Sequence, residues 1–178
     1  MRIRIDHSTR YAYARPARFI VQMLRLTPRS CEGQQVRDWR IETDGDGSGP
    51  TMHWSGDSSN VVLLVRAIDN KDRWLASVDL ANARLVSRHR LTDAAWVGWA
   101  FNEFGWLPDN RTLWYLSEES GFSHLYTLDG AKKSQLTDGK WEASAVVPAR
   151  DGSAFWFLCN RTQPGDYEVC NVAARGGT

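Results

Sequence analysis

Cysteine is scarce in this chain: Cys31, Cys159 and Cys170 are odd in number and form no CxxC pair. A zinc site or a disulfide framework is therefore not expected. Cys159 and Cys170 can face each other on neighbouring strands, but the plainer expectation is two small buried apolar side chains. Long apolar runs are missing too, and none approaches the roughly 18 residues that span a bilayer. The opening Met1-Arg-Ile-Arg-Ile-Asp6 has no apolar signal core, so the chain as written reads as cytoplasmic. His7, His53, His89 and His124 are widely separated and show no ligand spacing. No glycine-rich phosphate loop occurs. No metal and no cofactor is expected.

Aromatics, by contrast, are plentiful, with nine Trp among 178 residues and 42% hydrophobic content. Such a chain can bury a core and is not a disordered one. The net charge of +1 hides a split. Residues 1–40 hold nine Arg, no Lys and three acids, which gives +6, and the remainder carries −5. So sharp a break points to two segments of different origin. The arginines alternate with Ile, Tyr, Leu and Val, as on strands with one solvated face. They do not cluster, so no nucleic-acid partner is expected.

The richest stretch runs from Phe104 to Gly130. An aromatic strand ends in Pro108-Asp-Asn110, an apolar strand follows over 112–117, and a Gly-containing turn leads to a third strand over 124–128. The pattern recurs at Trp54-Ser-Gly-Asp57 before the run 61–65, and at Ala149-Arg-Asp-Gly152 before the run 154–158. The turn aspartates Asp57, Asp109 and Asp151 stand 52 and 42 residues apart, the period of a β-propeller blade. Asp-Asn and Asp-Gly adopt positive φ cheaply, as hairpin turns require. Trp106, Trp114 and Trp156 are expected in the core. The chain therefore reads as all-β, with about three four-stranded blades of an incomplete propeller preceded by a partial antiparallel β-domain. Residues 1–44 form the first segment, with strands expected near 3–13, 20–27 and 36–43. Residues 45–51 are a glycine-rich linker, and 52–178 carry the blades. Open blades leave unpaired strand edges, so self-association through those edges is expected.

Two resemblances sharpen this reading. Met1-Arg-Ile-Arg-Ile-Asp-His-Ser-Thr-Arg-Tyr-Ala-Tyr-Ala-Arg-Pro16, Leu24–Arg29 and Gly33–Ile41 resemble the N-terminal β-domain of bacterial transglutaminase-like proteins over about residues 1–46. The match covers half of that domain, and the Cys-His-Asp catalytic domain that follows it in the family is not present. Cys31 lies in a loop and does not inherit the nucleophile's role. Ala67–Trp74, Trp96–Gly98, Trp106–Asn110, Ser117-Glu-Glu-Ser-Gly-Phe-Ser-His-Leu-Tyr126 and Leu136–Glu142 resemble the propeller of dipeptidyl-peptidase IV-like serine peptidases of the prolyl-oligopeptidase family. In that family the propeller restricts access to the peptidase site and binds part of a peptide substrate, in a periplasmic or secreted enzyme. The resemblance thus implies the non-catalytic propeller portion of a peptidase, fused to a truncated first segment. A stand-alone interaction module is the alternative.

No catalytic residues are expected. The G-x-S-x-G elbow of such peptidases does not occur. Ser123 and His124 are neighbours on a strand, so they point to opposite faces and cannot pair. His124 reads as a blade-stabilising side chain bonded to a turn, and Glu118 and Glu119 as a solvated turn end or a cap. The stretch Trp96–Glu103 is the candidate for ligand contact. By the family resemblance it reaches toward the peptidase pocket, with Trp99, Phe101 and Asn102 facing substrate. Equally, Trp96 and Phe101 can pack between blades.

Overall fold

The computed structural model describes residues 51–175 apart from Leu80 and Ala83. The chain divides into two units, Met1–Gly47 and Ser48–Thr178. The first unit, with the strands expected over 3–43 and most of the linker, lies outside the described residues.

Eleven strands and no helix make up the described part. The first sheet holds β1 (Thr51–Trp54), β2 (Val61–Arg66), β3 (Asp72–Asp79) and β4 (Arg84–Thr92) in sequential antiparallel order. The second holds β5 (Phe104–Trp106), β6 (Leu113–Ser117), β7 (His124–Asp129) and β8 (Lys132–Gln135) in the same order. The third contains β9 (Ala143–Pro148), β10 (Ala154–Gln163) and β11 (Asp166–Ala173). Sequential antiparallel sheets of this size are propeller blades. The third blade has three strands among the described residues, not the expected four.

One turn recurs three times and sets the period. Ser55, Leu107 and Ala149 each donate their N–H to the carbonyl five residues on, at 2.9, 2.9 and 2.8 Å. Within each loop Ser58, Asn110 and Gly152 donate back to the same three residues and take φ of 60, 58 and 71°. The preceding aspartate holds the turn. Asp57, Asp109 and Asp151 each accept an N–H two residues on, from Ser59, Arg111 and Ser153, at 3.0 Å. This is an Asx turn, in which a short carboxylate replaces a backbone acceptor. At Gly152 the requirement is double, because a Cβ there would also lie 2.9 Å from the Pro108 ring of the neighbouring blade.

From these turns the facing of each blade follows by alternation. Four and six residues after the aspartate come Val61 and Leu63, Leu113 and Tyr115, and Phe155 and Phe157, all buried. In blades two and three these residues pack on the preceding blade. Five and seven residues after come Val62 and Leu64, Trp114 and Leu116, and Trp156 and Leu158, which face the following blade. Val62 and Leu64 accordingly join Leu113, Tyr115 and Tyr126 in one core cluster. Trp114 and Leu116 join Phe155, Phe157 and Ala143 in the other. Trp156 has no described blade beyond it and is 48% exposed, whereas Trp114 is 7% exposed. The expectation of a buried Trp156 is thus corrected, and Trp106 is only partly buried.

A second correction concerns the cysteines. Cys159 on β10 and Cys170 on β11 form a disulfide, with Cα atoms 6.0 Å apart. The register places Cys159 opposite Glu168 and Phe157 opposite Cys170, so the two sulfurs meet diagonally on one face.

Candidate functional site

The inner strands of the three blades line a cleft of about 840 Å³. Its walls include His53 and Trp54 from β1, Trp106 from β5 and Arg150 from the third Asx turn, with Asn102 and Glu103 at the connection between blades one and two. The Trp106 indole donates to the His53 carbonyl at 3.1 Å, and the His53 ring lies 4.5 Å from Phe104. Aromatic walls with one guanidinium suit an extended, partly apolar ligand.

The connection, residues 93–103, contains no regular element before β5. It is pinned on the β2–β3 turn, where Asp93 and Val97 donate to the carbonyls of Lys71 and Asn70 at 3.0 and 2.7 Å. Asp93 in turn accepts from the N–H groups of Ala95 and Trp96. The three expected contact residues part company here. Phe101 packs against the core between blades two and three. Trp99 lies under the Arg66 guanidinium, 5.3 Å from the ring centre, and its buried Nε1 has no partner among the described residues. Asn102 alone reaches the cleft. Trp96, one of the two residues considered for interblade packing, is instead 66% exposed.

Asn102 is also half of a buried polar joint that sequence reasoning missed. The Arg73 Nη1 donates to Asn102 Oδ1 at 2.6 Å and to the Leu116 carbonyl at 3.1 Å, while Asn102 Nδ2 donates to the Gly98 carbonyl at 3.0 Å. Arg73 thereby ties β3 of blade one to β6 of blade two. It is fully buried, and burial pulls its guanidinium down to about 10 against the attraction of Tyr115, Glu118 and Glu119. Its Nε and Nη2, the Tyr115 hydroxyl and His89 Nδ1 have no partner among the described residues. Only position 73 in a strand-like run marked this residue, and an Arg there reads as solvated until the neighbouring blade is known.

Glu118 and Glu119 separate into two roles. Glu119 Oε2 lies 3.2 Å from His89 Nε2 and 3.1 Å from Lys133 Nζ. Burial lowers the His89 pKa, and the bond to Glu119 opposes it in part. Burial raises the Glu118 carboxyl, helped by Glu142, while the Arg73 charge and the Gly98 N–H counteract.

Ser123 and His124 are committed to structure. The Ser123 hydroxyl donates to the Ala143 carbonyl at 2.8 Å. His124 Nε2 lies 2.9 Å from the Gly139 carbonyl, which can only accept, so that nitrogen carries the proton. His124 Nδ1 then accepts from the Thr137 hydroxyl at 3.1 Å, and the Thr137 oxygen accepts the Leu125 N–H at 2.9 Å. The imidazole closes the β6–β7 end of its blade onto a turn and has no lone pair left for a nucleophile.

A further joint links blades two and three. Ala145 has φ of 52° at an irregularity in the β9–β10 register. The N–H groups of Ala145 and Val146 both point outward, and the Glu103 carboxylate accepts them at 2.7 and 2.6 Å. Successive N–H groups around a left-handed residue make an anion-binding nest, here filled by a side chain of the preceding blade.

With this geometry in place, the relatives can be set beside it. Residues 3–68 match the bacterial transglutaminase-like N-terminal region. The matched stretch crosses the linker read at 45–51 and includes β1 and β2, which belong to blade one, where β2 pairs with β3. The fold of the described part is that of TolB-like propellers. TolB from Acinetobacter baumannii superposes with a TM-score of 0.56 at 16% identity, over 76% of this chain and 32% of TolB. A TolB-type protein from Agrobacterium tumefaciens gives 0.54 at 16% identity, over 75% of this chain and 49% of that one. The chain thus spans less than half the length of either. No curated protein matches it.

Proposed function

We infer that the blades are the non-catalytic, substrate-admitting portion of a serine peptidase of the prolyl-oligopeptidase family, dipeptidyl-peptidase IV-like in type, carried behind a transglutaminase-like N-terminal region. The observation that carries this reading is the aromatic cleft on the inner strands, with Asn102 at its rim. The string Ser117–Tyr126 supports the family over other propellers. Of the connection's three expected contact residues, Asn102 is the substrate-facing one in this reading, and Phe101 serves the core. The disulfide favours an oxidising compartment, since such bonds persist in periplasmic and secreted proteins. A periplasmic or secreted setting for the parent enzyme, which the peptidase family implies, agrees with such a bond.

The test is a titration with Xaa-Pro-containing tripeptides, followed by tryptophan fluorescence and calorimetry. Saturable binding is expected, weakened about tenfold by Trp54→Ala, with no hydrolysis of chromogenic dipeptides. Absence of saturable binding, or turnover abolished by Ser123→Ala, would defeat the reading. The alternative is a stand-alone interaction module of propeller type without an enzymatic role.

A further inference from the structure

The disulfide between β10 and β11 has a carboxylate beside it. The ladder places Cys159 opposite Glu168 and Phe157 opposite Cys170. These four residues therefore share one face of the sheet, the face that carries the core between blades two and three. Glu168 Oε1 lies 3.7 Å from Cys159 Sγ. A disulfide sulfur carries no proton, so two lone-pair atoms meet there without a hydrogen bond. The carboxylate is held in place by other groups: the Thr162 hydroxyl donates to Oε1 at 3.1 Å, and Arg161 Nε lies 3.9 Å from it. One ligand atom from each of Cys159, Cys170 and Glu168 lies within 4.8 Å of the other two.

We propose that Cys159, Cys170 and Glu168 form a zinc site when the disulfide is reduced. A tetrahedral zinc with bonds of about 2.3 Å to sulfur and about 2.1 Å to oxygen holds those two atoms about 3.6 Å apart. Cys159 and Glu168 already stand at 3.7 Å. The two sulfurs need roughly 3.8 Å, which side-chain rotation reaches from Cα atoms that the ladder keeps 6.0 Å apart. Two thiolates select a soft cation over calcium or magnesium. With the carboxylate they leave a zinc(II) site one negative charge in excess, and the Arg161 guanidinium stands beside it. Thr162 orients the carboxylate, as partners of metal ligands do. Glu168 is exposed, so water completes the fourth position. Reduction by a phosphine breaks the S–S bond: two electrons pass to the sulfurs, water supplies two protons, and the phosphine leaves as its oxide. Zinc then displaces both thiol protons to solvent.

Titration of the whole untagged chain with cobalt(II), with and without prior phosphine reduction, tests this. The reduced chain is expected to bind one equivalent, with the intense visible bands of tetrahedral cobalt and a thiolate-to-cobalt charge-transfer band. Zinc(II) should displace it one for one. The oxidised chain should show neither band. Cys159→Ser and Cys170→Ser should each abolish the charge-transfer spectrum of the pair. Glu168→Gln keeps the size of an exposed side chain and should weaken binding about tenfold or more. Cys31→Ser should change nothing. A reduced chain that binds no cobalt overturns the proposal, and so does an oxidised chain that binds it equally. Unchanged affinity in Glu168→Gln, or loss of binding in Cys31→Ser, would also overturn it. The comparison of oxidised with reduced parent and the Glu168→Gln variant need no change in the core, so the outcome does not hang on whether the serine variants fold.

Discussion

Trp114 and Trp156 are the same residue at the same place in successive blades, five residues past the turn aspartate. They differ in whether a blade follows. Trp114 is 7% exposed, meets Phe155 edge-on at 5.9 Å and lies over Gly105, where a Cβ would come within 3.0 Å of its indole nitrogen. Removing a buried aromatic takes roughly 150–250 Å² of apolar contact, worth about 4–6 kcal/mol at about 25 cal/mol per Å². That figure is an upper bound, because the unfolded chain already hides some of this surface. Trp114→Ala should therefore cost about 3–5 kcal/mol, as deletions of large buried aromatics do. Trp156→Ala removes a ring already half in water and leaves no cavity, so about 1–2 kcal/mol is expected. Urea unfolding of both variants, at protein concentrations low enough to avoid association, measures the difference. With a slope of about 2 kcal/mol per molar, the midpoints should separate by roughly 1 M. Equal costs for the two would refute the assignment of Trp114 to an interblade core and of Trp156 to an open face.

Glu103→Gln should destabilise the protein by about 1–3 kcal/mol, because the Ala145 and Val146 N–H groups lose a charge-assisted acceptor; chemical denaturation compares it with the parent. Reduction of the Cys159–Cys170 disulfide, which links residues 11 apart, should cost about 3 kcal/mol at most by the loop-entropy argument, less whatever the β10–β11 hairpin already holds. Thiol titration before and after unfolding should find only Cys31 free in the native oxidised chain. The His89 pKa lies below its ordinary 6.5 chiefly through burial, so the unfolded state takes up a proton first. This contribution to stability is complete above pH about 6.5 and is lost as pH falls toward the folded value. Urea midpoints measured from pH 8 to pH 5 should fall, and His89→Gln should flatten that fall.

The turns were legible because their chemistry is local. An aspartate followed by Asn, Gly or Ser specifies a positive φ and an Asx acceptor within four residues, and no distant group is needed to see it. The strands beside those turns were legible for the same reason, through alternation. What depends on a neighbouring blade was hidden. Arg73 looks like any strand arginine until Leu116 and Asn102 supply its acceptors, 43 and 29 residues away. The disulfide depends on a diagonal register between β10 and β11, which a spacing of 11 residues does not fix. In the candidate site, the connection 96–103 was marked by its aromatics, but their sidedness was not. Phe101 turned into the core and Asn102 to the cleft, because the Arg73 joint fixes the backbone between them.

The joints between blades share one design, and it bears on what the third blade lacks. Each interface combines an apolar layer with polar ties that cross it, among them Arg73 to Asn102 between blades one and two, and Glu103 to the Ala145–Val146 nest between two and three. The apolar layer stabilises without direction, whereas the tie fixes angle and register because its donors and acceptors are costly to leave unpaired. Blade three repeats the apolar layer in Trp156, Leu158 and Val169. At its paired positions it offers only Ser144 and Asn171 as polar groups, both neutral and both able to donate and accept. That face thus repeats the apolar layer of an interblade joint without the charged side chain that ties each of the two described ones.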